Sequence, residues 1–323
     1  MPEVRVDDEF STLRTVVLSR SELGLPETPP ETWDTDFLGG DAAHAATPGA
    51  DLDRDLPDFA RVLRREREEL GSLLVSHGVE VLFPRLLTDQ EKAVSQGRGY
   101  ANLFVRDPLI TVGNLVIEGS LRFPYRRGEV LPLRDVLRER VDPAASVRVA
   151  VPVPEVPDPG DAILGSGPFL EGGDVLVLGR RVYVGTSGLA TNAAGIAWLR
   201  KFLAPYGRVV EEVRLHPGML HLDCALGLVR EGLMIVCEEA LLDGVPESLD
   251  SWDSIPVSFD QATALAANGL PLNPRTYVTD PEFEDVGERL EAFGVRVEYV
   301  DLRATRSLGG AFRCSTQPLA RYG

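Results

Sequence analysis

Apolar residues recur every three or four positions in three stretches of the chain, and each stretch gives way to alternation just after a glycine. The first runs from Leu56 to His77 with Phe59, Leu63, Leu70 and Leu74 on one face, then Gly78, then Val79-Glu80-Val81-Leu82. The second runs through Ile196-Ala197-Trp198-Leu199 to Tyr206-Gly207 and Val209-Val210, and the third from Val286 through Leu290 to Phe293-Gly294 and Val295-Arg296-Val297. Each predicts an amphipathic helix ended by a left-handed glycine and followed by a short strand. Between them, Leu103 to Glu118, Phe169 to Val184 and Leu220 to Val236 read as β-hairpins, their apolar arms meeting at Gly-Asn, Gly-Arg-Arg and Arg-Glu-Gly turns. Hairpins alternating with single helices predict a mixed α/β domain of repeated ββαβ units, and the repetition suggests a closed ring.

Two stretches rich in Pro and Gly interrupt the pattern, Gly24 to Pro57 and Pro143 to Gly167, and both read as loop or lid excursions. No composition shift marks a boundary, so residues 1–323 are expected to form one domain. The 33 Lys+Arg against 50 Asp+Glu leave a formal charge of −17, which disfavours nucleic acid and anionic membrane as partners. No apolar run approaches the ~18 residues of a spanning helix. The N-terminus does not read as a signal peptide, and a cytoplasmic location is the default expectation.

Each hairpin carries carboxylates in its first arm: Asp107 in Leu-Phe-Val-Arg-Asp-Pro, Glu171 and Asp174 in Phe-Leu-Glu-Gly-Gly-Asp, and Asp223 in Leu-His-Leu-Asp-Cys. Equivalent positions of a ring converge on its axis, so these acids are expected to meet. His221 and Asp223 are two apart and, on a strand, would share one side, the acid holding the imidazole's tautomer and raising its pKa. His216 with Cys224 lacks a further ligand pair, so no metal is expected. The three cysteines are too scattered for a disulfide framework. Cys224 and Cys237 sit in apolar strand patterns and read as structural. Cys314, after Gly309-Gly310 and beside Arg313, is the nucleophile candidate, since an adjacent cation lowers a thiol pKa from its usual ~8.5.

A nucleophilic Cys, a His and several acids suit acyl transfer poorly, because an acyl intermediate develops negative charge and wants donors. Carboxylates match a flat cation, and a guanidinium offers them five N–H donors. A Cys-His-Asp amide or ester hydrolase and a non-catalytic binding module are the competing readings. A nucleotide-binding reading fails, because Gly165-Ser-Gly167-Pro lacks the third glycine and the following helix.

At this point the chain resembles the guanidine-modifying superfamily of amidinotransferases, arginine deiminases and dimethylarginine dimethylaminohydrolases. The resemblance runs from about Leu13 to the C-terminus. It rests on Arg106-Asp107, Glu171-Gly-Gly-Asp174, Thr191-Asn192-Ala-Ala-Gly195-Ile-Ala-Trp198-Leu-Arg200, His221-Leu-Asp223 and Gly309-Gly310-Ala-Phe-Arg-Cys314, in that order. It implies a pseudo-fivefold α/β propeller (pentein) of ββαβ units around a central cavity, without cofactor or metal. By the same resemblance, Cys314 attacks the guanidino carbon, His221 protonates the departing amine, and Glu171, Asp107 and Asp223 hold the guanidinium. Asp174, Asn102, Arg126, Arg127 and Arg313 are the expected substrate-binding residues, with Arg126 or Arg127 for a substrate carboxylate. The implied partners are a guanidino donor, an amine acceptor and a second copy in a homodimer.

The Thr-Asn-x-x-Gly-Ile-x-Trp-Leu-Arg helix, its Leu-Ala-Pro ending and Ser-Leu-Gly-Gly-x-Phe look like the amidinotransferases. Glu171 and Arg313-Cys314 look like the deiminases, but the Arg those enzymes use after Gly185-Thr-Ser is replaced by Gly188-Leu189-Ala190. The balance favours transfer to an amine over hydrolysis.

Overall fold

The computed structural model describes residues 3–27, 48–95, 97–155 and 165–323. The chain enters through β1 (Leu13–Leu18) and β2 (Glu22–Gly24), passes through the helix Pro57–Ser76, and continues with β3 (Glu80–Leu82) and β4 (Tyr100–Asn102). Strands β2 and β4 pair as a two-stranded ribbon. Four units of one connectivity follow, each a hairpin whose second arm is joined by a parallel third strand. They are β5 (Leu109–Val112), β6 (Leu115–Glu118) and β7 (Val147–Ala150); β8 (Val175–Leu178), β9 (Arg181–Thr186) and β10 (Val209–Arg214); β11 (Leu226–Arg230), β12 (Leu233–Val236) and β13 (Asp253–Pro256); and β14 (Leu270–Asn273), β15 (Thr276–Thr279) and β16 (Arg296–Tyr299).

The fifth three-stranded sheet is assembled from both ends of the sequence. β17 (Thr316–Arg321) pairs antiparallel with β1, and β3 lies parallel on β1's other side. It repeats the other units, with the helix Pro57–Ser76 as its crossover. The second and fourth units cross over through the helices Ala193–Leu203 and Glu284–Ala292, the third through two 3₁₀ turns. The result is a mixed α/β architecture.

The glycines expected to end helices do so: Gly78, Gly207 and Gly294 have φ of 76°, 70° and 75°. Leu63, Leu70 and Leu74, the apolar face of Pro57–Ser76, are fully buried. Apolar hairpin arms pack against such helices; Ile110, Val175, Val182, Ile196 and Leu199 share one cluster. Each fully buried side chain of this size contributes about 1.5–3 kcal/mol.

Several expectations need correction. The hairpins begin later than anticipated, at Leu109, Val175 and Leu226, so the acids lie in turns ahead of the strands. The excursion 143–167 contains β7, because Val147-Arg-Val-Ala can extend the open edge of β6. The end of 24–57 is helical, with Asp51 capping Leu52–Asp55 and Pro57 opening the long helix, where proline's missing N–H costs nothing. Residues 28–47 and 156–164 of the two excursions lie outside the described residues.

Candidate active site

The residues singled out for chemistry occupy one recurrent place, the short turn leading into the first strand of a unit. Asp107 lies two residues before β5, Asp174 one before β8, Asp223 three before β11 and Cys314 two before β17. The fourth unit contributes Asn268, two before β14, completely buried and not anticipated from sequence. Hydrogen bonds run from turn to turn. Gly172 N donates to Asp107 O (3.1 Å), Leu222 N to Asp174 Oδ1 (3.0 Å) and Asn268 Nδ2 to Asp223 O (3.4 Å). Cys314 N then donates to Asn268 Oδ1 (3.3 Å), and Val105 N to Cys314 O (3.2 Å), returning to the turn of Asp107.

His221 does not sit on a strand. It precedes the helical turn Leu222–Ala225, which carries Asp223 away from the imidazole, so Asp223 is not its partner. Nε2 instead meets Glu171 Oε2 at 2.9 Å, and Nδ1 lies 3.8 Å from Asp107 Oδ1. Burial opposes charging this imidazole, but Asp107, Asp174 and Glu171 outweigh it and lift its pKa to about 10. It is therefore an imidazolium at neutral pH, a proton donor in place. Burial alone would raise Asp107, yet His221 and Arg126 outweigh burial and hold it at about 2. Asp174 goes the other way: burial pushes it to about 7 against the pull of His221.

Thr191 ties Glu171 and Asp174 together. The Glu171 backbone N donates to Thr191 Oγ1 (3.1 Å), and Thr191 N donates to Asp174 Oδ2 (3.2 Å). Asn192 caps the following helix by accepting from Gly195 N (2.9 Å). The Thr-Asn-x-x-Gly pattern is thus the device that docks a helix start against the acid turn.

Cys314 is 3 % exposed. Leu63, Phe104 and Leu308 belong to its apolar cluster, while its Sγ lies 4.0 Å from Asp223 Oδ2. Burial, then Asp223 and Asp107, pushes its thiol well above the usual range despite the backbone N–H of Ala311 and the charge of Arg313. Arg313 pulls the thiol down as expected, but burial and the two acids outweigh it, and its guanidinium has other partners. It donates to Asp223 Oδ2 (2.9 Å), Glu9 Oε1 (3.2 Å) and Val175 O (2.6 Å).

The other expected substrate-binding residues divide. Asn102 is buried but belongs to a separate network, donating to Glu22 Oε2 (2.7 Å) and Arg85 O (3.0 Å). Arg127 donates to the carbonyls of Leu121, Glu155 and Arg122. Arg126, expected to meet a substrate carboxylate, lies among acids instead, facing Asp107, Glu171 and Glu129, a buried acid that sequence reasoning missed. Asp107, Glu171 and His221 are close enough to share a metal ion, with ligand atoms within 4.8 Å of one another, but the Arg126 cation already faces both carboxylates. Cys224 and Cys237 are buried in the largest apolar cluster, and exposed His216 packs edge-on against Phe259.

No family model matches the chain. Among curated proteins it is 27% identical over 257 residues to the uncharacterized protein YkgA of Bacillus subtilis, covering 79% of each chain. It is also 27% identical over 297 residues to inosamine-phosphate amidinotransferase 1 of Streptomyces glaucescens, covering 81% of this chain and 82% of that one. Among solved structures, the inosamine-phosphate amidinotransferase of Streptomyces griseus superposes with a TM-score of 0.83 at 21% identity, covering 100% of this chain and 98% of that one. The dimethylarginine dimethylaminohydrolase of Pseudomonas aeruginosa shares the fold less closely, at 0.67 and 18% identity over 95% of this chain and 99% of that one. The resemblance to guanidine-modifying enzymes thus holds in sequence and in fold.

Proposed function

We infer that this chain is a guanidine-modifying enzyme of the amidinotransferase kind, and its chemistry is derived from that premise. As a guanidinium donor such as arginine binds, the Cys314 thiol releases its proton to solvent; the thiolate then attacks the guanidino carbon, the protonated His221 gives its proton to the departing amine, and the C–N bond breaks. The S-amidino-Cys314 intermediate then meets an acceptor amine, which takes the amidino carbon, yields a proton to the neutral imidazole and releases the thiolate. Asp107, Glu171 and Asp223 hold the guanidinium, with Asp174 supporting the His221 charge. The five turns, linked one to the next by hydrogen bonds, support a closed pseudo-fivefold α/β propeller with the site on its axis.

The observation that carries the reading is the thiol 4.0 Å from a carboxylate, in the same circle of turns as an imidazolium bonded to a second carboxylate. A neutral carbonyl substrate gains nothing from such walls, whereas a guanidinium does, and its charge favours the thiolate that burial suppresses. The test is to acid-quench the protein with arginine and weigh the Cys314 peptide. An amidino adduct discharged faster by glycine or another amine than by water is expected. Discharge by water alone would make the enzyme a deiminase-type hydrolase, the reading that Glu171 favours. No adduct with any guanidino compound would overturn both.

A further inference from the structure

The acids that the proposed function gives to the donor already bind a guanidinium, and it belongs to the chain itself. Arg126 Nη2 donates to Asp107 Oδ2 at 2.8 Å, and Nη1 to Glu171 Oε2 at 3.4 Å. The remaining oxygens of the two acids are also engaged. Asp107 Oδ1 accepts from Gly173 N (2.9 Å) and Glu171 Oε1 from Arg122 N (3.0 Å). Arg126 thus occupies, on Asp107 and Glu171, acceptor positions that a donor guanidinium would use.

Glu129 gives Arg126 a second place to be held. It accepts from Nε at 2.7 Å and from Nη2 at 2.9 Å, on the other edge of the guanidinium from Glu171. Arg126 ends a 3₁₀ turn, Pro124–Arg126, and Glu129 lies three residues on in the same connection. Both are buried, at 7 % and 2 % exposure.

We propose that Arg126 is a resident occupant of the donor subsite and Glu129 the positioning residue that retains it when the donor displaces its Nη groups from Asp107 and Glu171. The inference rests on the donor reading above. The pair sets donor specificity, since only a cation that replaces a bidentate guanidinium hydrogen bond for hydrogen bond gains entry; a lone ammonium cannot. The acids also remain neutralised between turnovers, which avoids the cost of unpaired buried charge.

The two residues predict opposite effects. With chemistry stopped by Cys314→Ala, arginine binding is measured by calorimetry. Arg126→Gln removes the competitor and is expected to tighten arginine binding by about tenfold or more, the usual worth of a charge-assisted hydrogen bond. Glu129→Gln removes the alternative anchor, leaves Arg126 wholly on Asp107 and Glu171, and is expected to weaken binding. A purely structural pair predicts weakening in both variants, and that result overturns the proposal while the adduct test leaves the function standing. If Arg126→Gln does not fold, crystals of the Cys314→Ala protein soaked with arginine decide. Arg126 retained on Glu129 alone, with the donor on Asp107 and Glu171, is expected; Arg126 unmoved beside bound arginine overturns the proposal. Absence of arginine binding in every protein, together with absence of any adduct, overturns function and inference alike.

Discussion

His221 and Cys314, the pair proposed to carry the chemistry, sit in surroundings that push both toward holding a proton. The imidazole binds a proton more readily in the fold, at about 10, than in the open chain, at about 6.5. Its contribution to stability is therefore complete below about pH 6.5 and lost as pH rises through about 10. His221→Asn is expected to lower the melting temperature more at pH 6 than at pH 10, as calorimetry at the two pH values would record, and to depress kcat more than donor affinity. Asp223 is among the causes that raise the thiol. Asp223→Asn is accordingly expected to speed alkylation of Cys314 by iodoacetamide in the free enzyme while cutting turnover at least tenfold. Slower alkylation would show that Asp223 does not suppress the thiolate. At this scale the sequence was legible where a residue type announces itself. Asp107, Glu171, Asp223, His221 and Cys314 were all singled out, and the turns that carry them are bonded into one circle. Partnerships were not legible: i, i+2 spacing pairs His221 with Asp223 only on a strand, and the helical turn Leu222–Ala225 breaks that geometry.

At the scale of elements, each unit places a buried polar residue or the Cys314 thiol where a turn becomes a strand. Gly173 shows how tight this is: an added Cβ would lie 2.6 Å from His221 Nδ1 and 2.8 Å from Asp107 Oδ1. Gly173→Ala is expected to fold, because its backbone is ordinary, yet to lose at least a hundredfold in kcat/KM as the imidazole is displaced. Far-ultraviolet circular dichroism and steady-state rates separate the two effects. Asn192→Ala removes the helix cap, and denaturant unfolding should register about 1 kcal/mol of lost stability. The helices with their ending glycines were readable because 3.6-residue periodicity survives in Pro57–Ser76 and Glu284–Ala292. The fourth hairpin was not, because Pro271 and the turn residues between Asn273 and Thr276 conceal its alternation. With it went Asn268, although its place ahead of β14 matches that of Cys314 ahead of β17. The Arg126-x-x-Glu129 spacing was visible in the sequence, but only the fold brings this pair against Asp107 and Glu171.

At the scale of the whole molecule, the fifth sheet joins β1 to β17 across nearly the full length of the sequence, a pairing that local periodicity cannot reveal. Arg321 ties this seam further, donating to Ser11 O (2.8 Å) and Pro271 O (2.9 Å). Deleting residues 316–323 is expected to abolish cooperative unfolding of the entire domain, rather than fray one edge, when followed by calorimetry.

That seam also sets a clock. The sulfur belongs to the turn that leads into β17, so its place among the acids is tied to the pairing of head and tail. On the proposed reading of Cys314, covalent capture of a guanidino compound would therefore report that the β1–β17 seam has closed.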